Sequence, residues 1–243
     1  MKYLVIADIH SNLEAFEAVL EDAQNHGGFG HTWCLGDVVG YGPDPADCIK
    51  LLKQLDPACV CGNHDSAAVG KIDIGDFSSE AARANRWTAG QLSDGDREFL
   101  LGLPDLVVKG DFTIVHGSPR QPVWEYVAHS FTAADNFPCF DTQFCIVGHT
   151  HVPFLFEQDG VEVSGSILRD GDMLVLSDTR LIINPGAVGQ PRDRDPRASY
   201  AIFDAEEMVL HNYRVSYDVV ATQGKMEKAG LPDFLVSRIA WGV

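Results

Sequence analysis

Five short hydrophobic runs along the first two thirds of the chain end in aspartate, asparagine or histidine. They are YLVIADIH (3–10), HTWCLGD (31–37), ACVCGNHD (58–65), FTIVHG (112–117) and FCIVGHTH (144–151). One such end alone predicts an ordinary turn, because Gly, Asn and Asp favour turns. Because five hydrophobic runs end in these residue types, the pattern predicts five strands whose ends share a chemical role.

Helical periodicity follows the first two runs. In the first of these helices, Ser11 and Glu14 form a capping-box pattern. Before the second, Asp44 suits the cap and Pro45 suits the first helical position. Alternating strands and helices predict parallel strands joined by crossover helices.

The pattern changes after the third run. Residues 78–102 are predicted to be helical with a break at residues 93–95, and residues 106–117 to form a hairpin around Gly110. Further elements are predicted as strands over 154–163, 173–186, 199–204 and 207–215 and a helix over 217–229. The result is an α/β protein with two sheets and outer helices. Without a linker or repeat, one domain over residues 1–243 is expected.

Composition limits the partners and the compartment. The chain has 243 residues and a net charge of −17, which disfavours binding to a nucleic-acid polymer. No run approaches the length of a membrane span, and the N-terminus lacks the features of a signal peptide. The six cysteines include no C-x-x-C pair and are expected to be reduced thiols. A cytoplasmic location without membrane contact is therefore predicted.

The polar residues at the strand ends suit metal ions. Open α/β sheets bind ligands beyond the carboxyl ends of their strands, and alternation places Asp8 and His10 on the same side. Two aspartates, one asparagine and up to five histidines suit manganese, iron, zinc, nickel or cobalt. Because seven ligands exceed what one ion needs, two ions sharing one carboxylate are favoured. Paired ions of this kind serve phosphoryl chemistry.

Five ordered motifs resemble those of calcineurin-like metallophosphoesterases. They are D-x-H (8–10), G-D (36–37), G-N-H-D (62–65), H-G (116–117) and G-H-T-H (148–151). The resemblance spans residues 3–203. It implies an αββα sandwich of two facing mixed β-sheets flanked by helices, with a metal site at the carboxyl ends of the strands.

The resemblance also implies a role for each motif residue. Seven residues would hold two divalent transition-metal ions: Asp8, His10 and His151 the first, Asn63, His116 and His149 the second, and Asp37 both. Manganese is expected, and iron, nickel, zinc, cobalt and magnesium are compatible. His64 would be the catalytic histidine, and Gly62 is expected to let the backbone turn so that Asn63 and His64 serve different tasks.

Two further segments indicate which branch of this family the chain resembles. GDVVGYGPDP (36–45) and NPGAVGQPRD (184–193) are similar to the small prokaryotic phosphodiesterase branch. Gly40 and Tyr41 stand where the protein-phosphatase branch has Asp-Arg, so the aspartate that partners its catalytic histidine is absent. The expected activity is hydrolysis of small phosphodiesters or pyrophosphate-bridged nucleotides by a metal-bound water. The alternatives are a phosphomonoesterase or protein phosphatase, and a non-catalytic metal-binding scaffold.

Two residues are candidates for contact with a small phosphorylated substrate. Arg192 is the preferred phosphate contact, although it lies in PRDRDPR (191–197), where arginines and aspartates that pair only with one another are an equal alternative. Tyr41 either lines the pocket or packs within its loop. The sequence predicts no oligomeric state.

Overall fold

The computed structural model describes all residues from 1 to 243. Its strands are β1 (Lys2–Ile6), β2 (His31–Cys34), β3 (Ala58–Cys59), β4 (Leu106–Lys109), β5 (Phe112–Val115), β6 (Phe144–Ile146), β7 (Phe154–Asp159), β8 (Glu162–Ile167), β9 (Met173–Val175), β10 (Arg180–Asn184), β11 (Ala198–Asp204) and β12 (Val209–Val215). Its α-helices are α1 (Leu13–Asn25), α2 (Pro45–Gln54), α3 (Asn63–Ala68), α4 (Ser79–Gln91), α5 (Asp94–Leu101), α6 (Ser130–Asn136), α7 (Val219–Lys228) and α8 (Asp233–Arg238).

The strands form two mixed sheets of six strands each. The first sheet has the order β3-β2-β1-β11-β12-β9, and the second has the order β4-β5-β6-β10-β7-β8. Strands β1, β2 and β3 are parallel to one another, as are β5, β6 and β10. The carboxyl ends of these parallel strands carry the polar motifs of the sequence.

Alternation along β1 shows how the layers pack. Leu4 and Ile6 belong to a core that includes α1 and α2, whereas Val5 belongs to a second core shared with residues of the other sheet such as Phe112 and Ile183. A strand that is buried on both faces has a continuous apolar sequence, and YLVIA is such a sequence. The predicted αββα sandwich is confirmed, and the single domain over residues 1–243 stays a prediction.

Several predicted elements are present. The helical stretch breaks where expected, because α4 ends at Gln91 and the Ser93 side chain caps α5. Pro45 is the first residue of α2, and β4 and β5 pair as the predicted hairpin. Helix α7 occupies most of residues 217–229. The cysteines are all free thiols.

Other predictions were wrong. Asn12, not Ser11, caps α1, with its side chain accepting a hydrogen bond from the Ala15 amide at 3.2 Å. Residues 154–163 begin a hairpin of β7 and β8 that turns at Gly160. Residues 173–186 hold β9 and β10, which belong to different sheets. Helices α3, α6 and α8 were not predicted.

No helix of the structure has both the length and the apolar character needed to cross a membrane. The cytoplasmic location stays a prediction.

Candidate metal centre and active-site cleft

The candidate ligands lie beyond the strands, on backbone that turns back on itself. Strand β1 ends at Ile6 and β6 ends at Ile146, so strand alternation does not place the motif residues. Five of the seven have positive φ between 49° and 66°: Asp8, His10, Asp37, His149 and His151. For residues other than glycine this conformation costs roughly 1–2 kcal/mol each, and such strain is concentrated at functional sites.

A first cluster joins residues from the ends of β1 and β6. The Nε2 atoms of His10 and His151 lie 3.1 Å apart, and Asp8 Oδ1 lies 3.4 Å from His151 Nε2. All three side chains are buried. These donor atoms, together with Asp37 from the end of β2, lie within 4.8 Å of one another.

A second cluster joins residues from the ends of β3, β5 and β6. His116 Nε2 lies 3.1 Å from His149 Nδ1 and 3.2 Å from Asn63 Oδ1. Asn63 reaches the cluster from the first position of α3 rather than from a strand. Every one of these side chains is also buried.

Asp37 connects the two clusters. Its Oδ2 atom lies 3.6 Å from His10 Nε2 and 3.4 Å from His116 Nε2, and it has no hydrogen-bond partner although it is buried. The other oxygen, Oδ1, accepts a hydrogen bond from the His64 amide at 2.8 Å. Gly62 is needed for this approach, because a Cβ there would lie 2.0 Å from Asp37 Oδ1.

The tautomers of the histidines fit bound cations. His10, His116 and His151 each place Nδ1 within 2.6–3.1 Å of a main-chain carbonyl oxygen. Because a carbonyl oxygen only accepts, each Nδ1 carries the hydrogen and each Nε2 points a lone pair into its cluster. His149 is reversed, with Nε2 donating to the Trp124 carbonyl oxygen at 3.2 Å. Facing lone pairs repel unless a cation or a proton lies between them, and this arrangement is typical of metal ligands.

Burial and charge act together on the titration of the metal-free centre. Burial raises the pKa of Asp8 above its usual range. Burial alone would lower the pKa of His116, but the Asp37 carboxylate beside it raises that pKa to about 9. At pH 7 a proton on His116 therefore takes the place that a cation would fill in the second cluster.

Metal uptake is expected to release protons, because His116 must lose its proton before it binds an ion. The direction of the pH dependence follows because protons and metal ions compete for His116. Below pH 9 the proton opposes metal binding, so metal affinity rises with pH and levels off above pH 9. Near pH 7 we expect His116 to release about one proton per protein, and this release should fall to about half a proton at pH 9. Over the same range the Kd should fall by up to about tenfold per pH unit. Titration calorimetry of manganese in buffers of different ionisation enthalpy measures this release. If the heat of manganese binding does not depend on the buffer, no proton is released and His116 does not carry the proton assigned to it.

His64 lies beside the centre but outside both clusters. It follows Asn63 in the first turn of α3, where consecutive side chains point about 100° apart. This helical start separates the two residues. The chain does change from extended to helical at Gly62, but Gly62 has an ordinary φ of −94°, so this change does not need the conformational freedom of glycine. Burial lowers the pKa of His64 to about 4, so its imidazole is neutral near pH 7.

A buried amide from another element holds the His64 ring. Asn85 Nδ2, on α4, donates to His64 Nδ1 at 3.1 Å, which leaves the ring hydrogen on Nε2. Gly40 makes room for this contact, because a Cβ there would lie 2.5 Å from His64 Nδ1. The partner of the histidine thus comes from α4, while the loop that carries the partner aspartate in protein phosphatases has a glycine here.

His64 and Asn63 open onto a cleft of about 590 Å³. Tyr41 lines it and packs its ring 4.6 Å from His10 and 4.3 Å from His64, measured between ring centroids. Arg192 Nη2 donates to the Tyr41 hydroxyl at 3.4 Å. Both sequence-predicted substrate contacts therefore lie in the cleft next to the metal centre.

The charged residues of loop 191–197 differ in their partners. Arg197 pairs with Asp195 at 2.7 Å, and Asp193 pairs with Arg214. Arg192 instead bonds only the neutral Gln190 and Tyr41 side chains, and its Nε is buried without a partner. Mutual pairing within the loop thus describes Arg197 and Asp195, Asp193 pairs with Arg214 outside the loop, and Arg192 pairs with no aspartate.

Sequence reasoning missed other residues of the site. Asn85 and Arg238 come from α4 and α8, and neither stands in a motif. Trp124 and Tyr126 line the cleft from the segment between β5 and α6, and the Tyr126 ring stacks 3.8 Å from that of His149. No local pattern marks these residues, because their position depends on packing between elements distant in sequence.

Comparisons with known proteins agree with this geometry. A metallophosphoesterase structure from Sphaerobacter thermophilus superposes with a TM-score of 0.91 at 48% identity, covering 100% of both chains. An uncharacterized protein of Methanocaldococcus jannaschii is 39% identical over 98% of this chain and 97% of its own length. A symmetrical bis(5'-nucleosyl)-tetraphosphatase of Psychromonas ingrahamii is 33% identical over 67 residues, 27% of this chain and 24% of that protein.

The pattern of the calcineurin-like phosphoesterase superfamily domain matches residues 1–208. This range includes every candidate metal ligand and His64, and the buried Asp and His groups are able to bind metal. The chain therefore belongs to the calcineurin-like phosphoesterase superfamily, a family of metal-dependent phosphoester hydrolases.

Proposed function

We propose that the protein is a dinuclear metal-dependent phosphodiesterase that hydrolyses small phosphodiesters or pyrophosphate-bridged nucleotides. The main support for this proposal is the Oδ2 atom of Asp37. It has no hydrogen-bond partner and lies between two clusters of side chains whose lone pairs point inward. One ion would use Asp8, His10 and His151, and the other would use Asn63, His116 and His149. Manganese is the ion to test first, because the donors are oxygen and nitrogen without thiolate.

The two ions, when bound, would supply Lewis-acid charge and an activated water. The chain's own residues have separate tasks. Arg192 offers its guanidinium to a phosphate in the cleft, and arginine matches phosphate oxygens well. His64 offers its Nε2 hydrogen to the leaving oxygen as negative charge develops on it. Tyr41 packs against His10 and His64 and holds Arg192 in place.

Small substrates are favoured by the cleft and by the charge of the protein. The cleft has side walls of Phe77, Trp124 and Tyr126, whose rings suit the organic part of a small ester. The chain carries a net charge of −17, which opposes long acidic or phosphorylated polymers. The short match to a tetraphosphatase supports including dinucleoside polyphosphates among the candidates.

A substrate panel tests the proposal. We expect kcat/KM for bis-p-nitrophenyl phosphate or a dinucleoside polyphosphate to exceed that for p-nitrophenyl phosphate and for a phosphoserine peptide. Each substrate is measured with manganese, nickel, magnesium and zinc, and elemental analysis gives the metal content. A phosphoserine peptide as best substrate would favour a protein phosphatase. Full metal content without hydrolysis of any substrate would favour a scaffold.

A further inference from the structure

The last two helices lie outside the region that matches the superfamily domain. That region ends at residue 208, whereas α7 and α8 cover Val219–Lys228 and Asp233–Arg238. Leu235 and Ile239 pack into a core with Tyr41 and Ala81, so the C-terminal segment is attached to the wall of the active-site cleft. Arg238 reaches the cleft from this segment and lines it together with Arg192 and His64.

Both arginines keep donors free. Arg238 Nε donates to the main-chain oxygen of Val243, and its two Nη groups make no hydrogen bond within the chain. Arg192 uses Nη2 for Tyr41 and Gln190, while its buried Nε has no partner. One carboxylate, that of Asp76, lines the same cleft, but it pairs with neither arginine.

Two guanidinium groups facing one cleft repel each other unless an anion lies between them. Burial, followed by the charge of Arg192, lowers the pKa of Arg238 to about 10. The rest of the chain shows that acidic partners are plentiful, since 35 acidic residues stand against 18 lysines and arginines. Arg192 and the two Nη groups of Arg238 nevertheless have no acidic side chain as a partner in the cleft, which indicates that the ligand brings the negative charge.

We propose that Arg238 and Arg192 bind a second phosphate, adjacent to the one held at the metal centre, so that the substrate class is phosphoanhydride-linked. A simple diester has one phosphorus and leaves this arginine pair without a partner. A pyrophosphate bridge places a second phosphate, with a formal negative charge, one oxygen away. This inference rests on the proposed function and chooses between its two substrate classes.

The reaction balances with water as the only co-substrate. Water adds its oxygen to the phosphorus at the metal centre and releases a proton to solvent. The bond from that phosphorus to the bridging oxygen breaks, and the electron pair stays on the bridging oxygen. The second phosphate leaves with that oxygen, and the two arginines stabilise the charge that it gains.

Paired substrates test the assignment. One substrate is the p-nitrophenyl ester of thymidine 5'-monophosphate, with one phosphorus, and the other is di(thymidine 5') pyrophosphate, with two. Arg238→Met keeps an unbranched, flexible side chain of the length of the arginine stem and removes the guanidinium charge. A hydrogen-bonded charge pair is worth about 10- to 100-fold, so kcat/KM of Arg238→Met should fall about 10- to 100-fold for the pyrophosphate and at least about tenfold less for the ester.

The matched control is Arg86→Met, because Arg86 is exposed on α4 and does not line the cleft. It should leave both substrates at the wild-type kcat/KM. Arg238→Lys keeps the positive charge but lacks the planar guanidinium group. Its loss of kcat/KM for the pyrophosphate should therefore be smaller than that of Arg238→Met. Thermal unfolding of each variant shows whether α8 stays folded, and Arg238→Lys serves as the test if Arg238→Met does not fold.

Binding of inorganic phosphates gives a readout besides hydrolysis. With the metal removed by a chelator, titration calorimetry should show that the wild type binds pyrophosphate about 10- to 100-fold more tightly than orthophosphate, and that Arg238→Met loses this preference. A wild type that hydrolyses neither paired substrate contradicts the proposed function, and the pyrophosphate preference then still decides the arginine site. The second-phosphate site would be excluded if Arg238→Met lowered kcat/KM equally for both substrates. It would also be excluded if the wild type bound pyrophosphate no more tightly than orthophosphate.

Discussion

Asp37→Ala is expected to leave the protein unable to hold two ions and to lower kcat/KM by about 10³-fold or more. The reason is the position of Oδ2, which faces both clusters and has no other partner. Removing it takes one donor from each candidate ion at once. Metal content per protein by elemental analysis, and two peaks in anomalous scattering from crystals, measure the result.

Asn63→Ala is the comparison that isolates the bridging role. Asn63 contacts only the second cluster, through His116, so this variant should lose or weaken one ion and keep the other. Asp37→Asn preserves the shape of the side chain and controls for folding, because Asp37 Oδ1 also accepts a hydrogen bond from the His64 amide. Two ions at full occupancy in Asp37→Ala would exclude Asp37 as the bridge.

The sequence predicted the metal centre better than it predicted the path of the chain through it. The ligands were identifiable because each follows a buried run, and burial of both strand faces leaves a strong local signal. The predicted geometry was nevertheless wrong in detail. Asp8 and His10 converge through positive φ angles beyond the end of β1. Aspartate and histidine are enriched in this left-handed region, but the enrichment is too weak to show which of them adopt it.

The strand errors have a local cause. Asp159-Gly160 is a turn signal inside the run 154–163, and Gly160 has a φ of +59° in the turn between β7 and β8. Ser177, Asp178 and Thr179 likewise separate β9 from β10. Apolar residues on both sides hid these short polar interruptions. The signal was present in the sequence, but hydrophobicity alone did not detect it.

Positions that depend on long-range packing had no local signal. Asn85 is 21 residues from His64 in the sequence, and Arg238 comes from the last helix, α8. Arg192 was named as a candidate, but only the pairing of Arg197 and Arg214 with neighbouring aspartates shows that it stays free. Sequence thus predicts which residue types meet at strand ends and not which side chains from helices surround them.

His64→Asn is expected to keep the fold and both ions and to lower kcat by about 10²- to 10³-fold, the usual effect of removing one donor to a developing negative charge. His64 lines the cleft beside the metal ligands without belonging to either cluster. Its imidazole is neutral near pH 7, since burial lowers its pKa to about 4, and its Nδ1 accepts from Asn85. The hydrogen therefore sits on Nε2 and is available to the leaving oxygen.

The size of the loss should depend on the leaving group. A nitrophenolate leaving oxygen carries its charge without help, whereas an alkoxide needs a donor. The loss in kcat for His64→Asn should therefore grow as the leaving alcohol becomes less acidic. The measurement is kcat for a series of aryl and alkyl phosphodiesters, with metal content determined in every sample so that loss of an ion is not mistaken for loss of the donor.

Asn85 supplies a second, independent test of the same arrangement. Asn85→Leu should lower kcat by about tenfold, because the His64 ring loses the hydrogen bond that fixes its tautomer and orientation. In the double variant with His64→Asn, the Asn85 effect should disappear, since residues that act as one unit are not additive. Independent losses in the double variant would make Asn85 a structural residue of α4. Near-wild-type kcat of His64→Asn with poor leaving groups, at full metal content, would remove His64 from the mechanism.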